Sequence, residues 1–214
     1  MQTVLFDLDG TLTDPKLGIT RCIQHALGML GESVPDADAL EWCIGPPLHQ
    51  SFARILNTDS SSRIGEAMGH YRARFRETGM FENSLYPAIP GVLGALRASD
   101  LRLFVATSKP WVFARPIIEH FGLGDYFEAV HGAELDGTRA DKSALIEFIL
   151  DRHGLCADET VMVGDRSHDI AGARSRGVPS IGVTYGYGGR DELERAGAHF
   201  VVDSPTELIA LIAG

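Results

Sequence analysis

The sequence predicts an α/β fold in which an open parallel sheet is covered by helices on both faces and interrupted by a helical insertion. Residues 4–6 form a short apolar run that is typical of a strand buried on both faces. Residues 15–83 show helical periodicity without a convincing strand. From residue 84 onward strand and helix patterns alternate, which indicates a parallel sheet.

The insertion contains four segments whose apolar residues recur at helical spacing. The first runs from Ile19 to Leu30 in an i, i+3, i+4, i+7 pattern. The other three predicted helices cover residues 40–44, 48–56 and 64–75. We therefore expect a helical cap domain over residues 15–83, inserted into a core domain made of residues 1–14 and 84–214.

The core domain is predicted to alternate strands with helices to the end of the chain. After the insertion, the predicted strands cover residues 101–106, 127–133, 160–163, 180–184 and 200–202. The predicted helices cover residues 93–97, 111–121, 143–150, 170–176, 192–196 and 206–212. Pro116 is expected to bend its helix or to mark a late start. In such sheets ligands bind outside the carboxyl ends of the strands, so the residues that follow each strand are the candidates for a site.

Composition restricts the partners of this chain. A net charge of −10 over 214 residues disfavours binding to nucleic acid. No apolar run is long enough to span a bilayer, and Asp7 and Asp9 interrupt any signal-peptide pattern. The three cysteines are far apart, which indicates neither a disulfide framework nor a zinc knuckle. We expect a cytoplasmic monomer or homodimer that binds no nucleic acid and no membrane.

Acidic, hydroxyl and cationic side chains follow four of the predicted strands. Each has a common structural role of its own, as a helix cap, a solvated charge or a favourable charge at a helix start. Those separate roles do not explain why they gather at one edge of the predicted sheet. In chain order they are Asp7, Asp9, Thr107, Ser108, Lys109, Asp141, Lys142, Asp165 and Asp169.

The chemistry of this set indicates a magnesium and phosphate site. Several carboxylates at one edge repel each other, and a hard divalent cation neutralises them. Mg²⁺ prefers oxygen ligands and commonly binds one or two carboxylates together with a substrate phosphate. Hydroxyl groups and a compact ammonium suit a phosphate dianion. A carboxylate nucleophile with a second acid two residues away then predicts hydrolysis of a phosphomonoester through an aspartyl-phosphate intermediate.

Four segments resemble, in order, the four motifs of the haloacid dehalogenase superfamily of phosphatases. They are Asp7-Leu8-Asp9-Gly10-Thr11, Thr107, Lys142, and Gly164-Asp165 with Asp169. The insertion resembles the small helical cap of the subgroup that contains phosphoglycolate phosphatases and 5′-nucleotidases. The resemblance implies a Rossmann-like core, a Mg²⁺ cofactor and a small-molecule phosphate ester as substrate.

The resemblance also implies a role for each motif residue. Asp7 would be the nucleophile and a metal ligand, and Asp9 the general acid/base and a metal ligand through its carbonyl. Asp165 would bind the metal, and Asp169 would assist directly or through another ligand. The phosphoryl group would be bound by Thr107, Ser108 and Lys142.

Substrate specificity and the exact reaction stay open from the sequence. Arg21, His49 and Arg54 in the insertion are candidates for binding the non-phosphate end of the substrate, although each also fits a plain surface position. A sugar phosphomutase of the β-phosphoglucomutase type shares all four motifs and is the main alternative. A catalytically inactive binding protein on the same fold is the second.

Overall fold

The computed structural model describes all 214 residues and divides into two compact units. The core unit is Met1–Thr13 with Leu85–Gly214, and the inserted unit is Asp14–Ser84. None of the helices combines the length and apolar character needed to cross a bilayer.

The strands and helices alternate through most of the chain. The strands are β1 (Thr3–Phe6), β2 (Thr13–Asp14), β3 (Ser84–Leu85), β4 (Arg102–Pro110), β5 (Ala129–Ala133), β6 (Thr160–Gly164), β7 (Ser180–Val183) and β8 (Phe200–Val202). The α-helices are α1 (Lys16–Met29), α2 (Leu48–Ile55), α3 (Ser61–Glu77), α4 (Ile89–Ala98), α5 (Trp111–His120), α6 (Lys142–His153), α7 (Ser167–Ser175), α8 (Arg190–Ala196) and α9 (Glu207–Ile212).

Six strands form one parallel sheet in the core unit, in the order β5-β4-β1-β6-β7-β8. Strand β1 lies near the middle and is buried along its whole length, as its apolar sequence predicts. Its register places Phe6 beside Val105 of β4 and Val163 of β6. The residues that follow these positions therefore lie at one edge of the sheet, which positions the site, and the six parallel strands confirm the predicted α/β fold.

Helix α6 packs against one face of this sheet. Leu145, Ile146 and Ile149 of the helix share a buried apolar cluster with Phe104 of β4 and Met162 of β6. Burial of each large apolar side chain contributes about 1.5–3 kcal/mol, so this cluster fixes the position of the helix on the sheet. The first residue of α6, Lys142, is thereby held at the carboxyl edge of the strands.

The inserted unit is helical, and α1 packs along α3. Gly18 in α1 comes so close to the residues after α3 that an added Cβ would lie 2.0 Å from the carbonyl oxygen of Gly79. An aromatic group of Phe52, Tyr71 and Phe75 fills the interior. Ser60 caps α3 by accepting a hydrogen bond from the N–H of Arg63 at 3.4 Å.

Several elements differ from their sequence-based predictions, among them α4, which is Ile89–Ala98 rather than residues 93–97. The predicted helix over residues 40–44 is a 3₁₀ helix over Asp38–Cys43. Helix α5 begins at Trp111 and includes Pro116, so the proline does not mark a late start; buried apolar residues lie on both sides of it, and a bend at this position stays a prediction. Strand β4 extends to Pro110 rather than ending at residue 106, with an irregular register after Thr107.

Candidate active site

The first motif leaves β1 through a tight turn. Gly10 has a φ of +82°, a conformation that favours glycine. A close contact also excludes a side chain at this position, since a Cβ on Gly10 would lie 2.1 Å from Oδ2 of Asp165. The turn thus carries Asp7 and Asp9 while its glycine packs directly against an acidic residue that follows β6.

Three carboxylates meet beyond the carboxyl ends of the strands. One oxygen from each of Asp7, Asp165 and Asp169 lies within 4.8 Å of the others, and all three residues are buried. Burial and the neighbouring carboxylates raise the pKa of Asp165 well above its ordinary value. Burial also raises the pKa of Asp169. The structure therefore brings together three of the four predicted metal ligands through their side chains, and we call them the acidic cluster.

Lys142 is the cation of this cluster. It begins α6, where Asp141 caps the helix by accepting a hydrogen bond from Ala144 N–H at 3.0 Å. The Lys142 Nζ lies 2.7 Å from Oδ1 of Asp169 and 3.0 Å from Oδ1 of Asp7. Burial alone would lower the pKa of Lys142, but these two carboxylates raise it above its usual range.

A divalent cation fits the acidic cluster. Three carboxylates face one ammonium, so two negative charges are left without a counter-charge when all groups are ionised. Oδ1 of Asp165 is buried without a hydrogen-bond partner, and Oδ1 of Asp7 and Asp169 meet Lys142 only as ion pairs without hydrogen-bond geometry. Buried oxygens of this kind are expensive to leave unpaired, and hard cations prefer such ligands.

Asp9 and Lys109 form a buried ion pair that the sequence analysis did not predict. Lys109 Nζ donates to Oδ1 of Asp9 at 2.6 Å, and both side chains are nearly inaccessible. Burial raises the pKa of Asp9, and Lys109 acts in the opposite direction. Lys109 is one of three lysines in the chain and follows a strand, so its position was a signal for a role at this edge. Its partner was not evident from the sequence.

The predicted phosphate-binding hydroxyls lie at the end of β4. Thr107 is buried, and its Oγ1 accepts a hydrogen bond from the N–H of Lys109 at 3.2 Å. Ser108 is half-buried. This irregular stretch is possible because Gly132 of β5 lies opposite, where a Cβ would come within 2.4 Å of the carbonyl oxygen of Lys109. The binding of phosphate by these hydroxyls stays a prediction.

The three candidates for substrate specificity lie in the inserted unit. Arg21 forms an ion pair with Glu82 at 2.7 Å. Arg54 places its guanidinium 4.2 Å from the ring centroid of Trp42, a cation–π contact. His49 is exposed. Arg21 and Arg54 already have partners within this unit, and the role of all three stays a prediction.

Comparison with known proteins finds one matching family model and relatives with different names. The family model for haloacid dehalogenase-like hydrolases matches residues 4–183. A 5′-nucleotidase from Pseudomonas aeruginosa is 53% identical over 190 residues, covering 89% of this chain and 86% of that protein. The tyrosine-protein kinase PtkA of Mycobacterium tuberculosis is 39% identical over 205 residues, covering 96% of this chain and 69% of that protein.

A solved structure extends the similarity to the whole fold. The crystal structure of a predicted phosphatase from Clostridium acetobutylicum has a TM-score of 0.95 to this chain at 42% identity. The match covers 99% of this chain and 97% of that one. The family match includes the strands that carry the acidic cluster. The chain therefore belongs to the haloacid dehalogenase-like hydrolases, and it is a phosphatase of that family.

Proposed function

We propose that the protein is a Mg²⁺-dependent phosphomonoesterase that acts on a small phosphorylated metabolite through an aspartyl-phosphate intermediate. One observation carries the proposal. Lys142 lies between two buried carboxylates, and a third, Asp165, keeps a buried oxygen with no hydrogen-bond partner. A metal ion would neutralise the carboxylates of this group, and a phosphate would be attracted to the metal ion and to Lys142.

The first chemical step transfers the phosphoryl group to the protein. A carboxylate oxygen of Asp7 attacks phosphorus, the bond from phosphorus to the ester oxygen breaks, and Asp9 gives its proton to the leaving oxygen. In the second step water attacks phosphorus and Asp9 takes a proton from it. The bond to Asp7 then breaks, which releases inorganic phosphate and restores the carboxylate.

The remaining groups hold charge and position. Asp7, Asp165 and Asp169 would hold Mg²⁺, with the backbone carbonyl of Asp9 as a further ligand. When bound, Mg²⁺ supplies positive charge that offsets the repulsion between the phosphate and the carboxylates. The phosphoryl oxygens would be bound by Thr107, Ser108 and Lys142. Lys109 would stabilise the ionised form of Asp9 after it has given up its proton.

The substrate we propose is a nucleoside monophosphate or a similarly small ester such as phosphoglycolate. The name of the Pseudomonas aeruginosa relative, 5′-nucleotidase, supports the first. We propose that the inserted unit, Asp14–Ser84, is a cap domain that selects the substrate through Arg21, His49 and Arg54. We also propose that the protein is cytoplasmic. We propose that it is a monomer or a homodimer, and light scattering can distinguish these two oligomeric states.

The test is release of inorganic phosphate from a panel of nucleoside monophosphates, sugar phosphates and phosphoglycolate. We expect turnover with Mg²⁺, its loss in EDTA, and its recovery when Mg²⁺ is added back. Asp7→Asn removes the nucleophile and is expected to lower turnover at least ~10³-fold, on the order of the loss of other catalytic nucleophiles. Asp151→Asn, an exposed position on α6, is the matched control. Full activity in EDTA, or substantial turnover by Asp7→Asn, would contradict the mechanism.

Two alternatives are separated by the same assays. A phosphomutase would convert a hexose 1-phosphate into its isomer when primed with a hexose bisphosphate, rather than release phosphate. An inactive binding protein would release phosphate from no ester in the panel. We favour catalysis over simple binding because every group that the two steps require is present in the core unit. We favour hydrolysis over a mutase reaction because similar proteins are named 5′-nucleotidase and phosphatase.

A further inference from the structure

One segment that contacts the acidic cluster has no part in the proposed reaction. Residues 185–188, Tyr-Gly-Tyr-Gly, follow β7 and pass beside Asp165. The backbone N–H of Tyr187 donates a 2.8 Å hydrogen bond to Oδ2 of Asp165. Oδ1 of the same carboxylate is buried and accepts no hydrogen bond. The backbone therefore holds one oxygen of Asp165 and leaves the other available to a ligand.

Two glycines allow the segment to come this close. A Cβ on Gly186 would lie 2.3 Å from the carbonyl oxygen of Gly10 and 2.5 Å from Cβ of Asp165. A Cβ on Gly188 would lie 1.8 Å from the carbonyl oxygen of Asp165. Neither glycine has a left-handed backbone, so the contact with Asp165, and not the turn geometry, requires the missing side chain.

The start of the segment is fixed independently. The hydroxyl of Tyr185 donates to the carbonyl oxygen of Thr11 at 3.1 Å, and its ring meets Tyr86 edge-on with centroids 5.0 Å apart. Thr11 belongs to the same turn as Gly10, which packs against Asp165 from the first motif. The turn of the first motif and residues 185–188 thus both place a glycine against Asp165.

We propose that residues 185–188 position the Asp165 carboxylate for a divalent cation. Gly186 and Gly188 permit the close approach, the N–H of Tyr187 fixes the orientation of the carboxylate, and Tyr185 fixes the segment to the first motif. These are positioning residues, because their part in cation binding is exerted through Asp165. The inference rests on the proposed function, since it requires a cation at the acidic cluster.

The test compares Gly186→Ala and Gly188→Ala with Gly189→Ala, a matched control whose added Cβ would meet nothing within 4 Å. Binding of Mn²⁺ is measured without substrate by electron paramagnetic resonance, and folding by thermal unfolding in EDTA. We expect the first two variants to bind Mn²⁺ about 10- to 100-fold more weakly, the loss seen when groups that orient a metal ligand are altered. The control is expected to bind like the wild type.

Tyr185→Phe keeps the test decisive if the alanine variants do not fold. It removes one hydroxyl and adds no atom, and loss of a single buried hydrogen bond predicts roughly two- to tenfold weaker Mn²⁺ binding. In the phosphate-release assay, the Mg²⁺ concentration for half-maximal rate should rise by the same factor, while KM for the ester stays within about twofold. A general loss of structure would not produce this separation.

The outcomes are distinct. Wild-type Mn²⁺ affinity in Tyr185→Phe overturns the positioning role, and so does wild-type affinity in a folded Gly186→Ala or Gly188→Ala. An equal loss of affinity in Gly189→Ala also overturns it. Failure of the wild-type protein itself to bind Mn²⁺ overturns the proposed function and the positioning role together. The wild-type titration therefore separates failure of the inference from failure of the function.

Discussion

Replacing Asp165 by asparagine should stabilise the metal-free protein while abolishing its activity. Oxygens of Asp7, Asp165 and Asp169 lie within 4.8 Å of one another, and a single ammonium faces them. With an effective dielectric constant of about 20, each like-charge pair at that distance costs roughly 3 kcal/mol. Asp165 takes part in two such repulsions, with Asp7 and with Asp169, whereas the ion pairs of Lys142 are formed with those two residues and not with Asp165.

The expected gain in the free energy of unfolding is smaller than the sum of these two repulsions. A carboxyl group in such surroundings can take up a proton instead, which limits the cost of keeping it buried. We therefore expect Asp165→Asn to raise the free energy of unfolding in EDTA by about 1–3 kcal/mol. The amide oxygen of the introduced side chain retains the hydrogen bond from the N–H of Tyr187, and its N–H₂ group can donate to a neighbouring carboxylate.

The gain should depend on pH with a definite sign. Because the pKa of Asp165 is raised in the folded state, its carboxylate costs nothing below the ordinary pKa and most above the raised one. Stability of the metal-free wild type is lost as pH rises through that interval, and Asp165→Asn does not share the loss. The difference between variant and wild type should therefore grow with pH.

Urea unfolding in EDTA, followed by circular dichroism, measures this effect. Asp169→Asn is the matched comparison: it also removes two repulsions, but it breaks an ion pair of 2.7 Å with Lys142, so it is expected to be less stable in EDTA than Asp165→Asn. Added Mg²⁺ should stabilise the wild type through binding to the folded state but leave Asp165→Asn unchanged. An Asp165→Asn variant less stable than the wild type in EDTA would refute the electrostatic reasoning.

Three further predictions concern the lysines and a histidine pair. Lys142→Met should lower the free energy of unfolding by about 3–5 kcal/mol and abolish phosphate release, because it leaves buried carboxylates unpaired; urea unfolding and the phosphate assay measure both. Lys109→Met should lower kcat at least about tenfold, because Asp9 loses its ion-pair partner, and a rate within twofold of the wild type contradicts this. Burial and the nearby His153 lower the pKa of His131 from 6.5 to about 4, so its contribution to stability is present above pH 6.5 and is lost as pH falls towards 4. Between pH 7 and 5, His131→Gln should lose about 1 kcal/mol less stability than the wild type, a figure reduced for partial exposure and measured by urea unfolding at each pH.

The fold and the acidic cluster were predictable because both follow from the geometry of a parallel sheet. Buried strands are recognisable as apolar runs, and residues that follow neighbouring strands must leave at the same edge. That rule brings Asp7 and Asp165 together although 158 positions separate them (165 − 7). The structure confirms the sheet, and the four motifs lead to the family that the comparisons show.

Other contacts depend on details that the sequence pattern does not encode. The pairing of Lys109 with Asp9 requires β4 to continue irregularly past Thr107, which in turn requires a glycine in the neighbouring strand. Strand patterns identify apolar residues and cannot reveal a register shift among polar ones. The 3₁₀ helix over Asp38–Cys43 was missed for a similar reason, since six residues are too few to distinguish its period from that of an α-helix.

Glycines around the acidic cluster contribute both to the repulsion between its carboxylates in the metal-free protein and to its proposed ability to bind a cation. Gly10 and Gly186 pack against Asp165, and a Cβ on Gly164 would lie 2.3 Å from Cγ of Asp169. At these contacts the carboxylates meet main chain rather than cationic side chains, so no counter-charge is supplied there. Replacing these glycines by larger residues could fill space but would displace the carboxylates. The glycines that leave the carboxylates without cationic neighbours in the metal-free protein are thus the same ones that keep the carboxylate oxygens available to a cation.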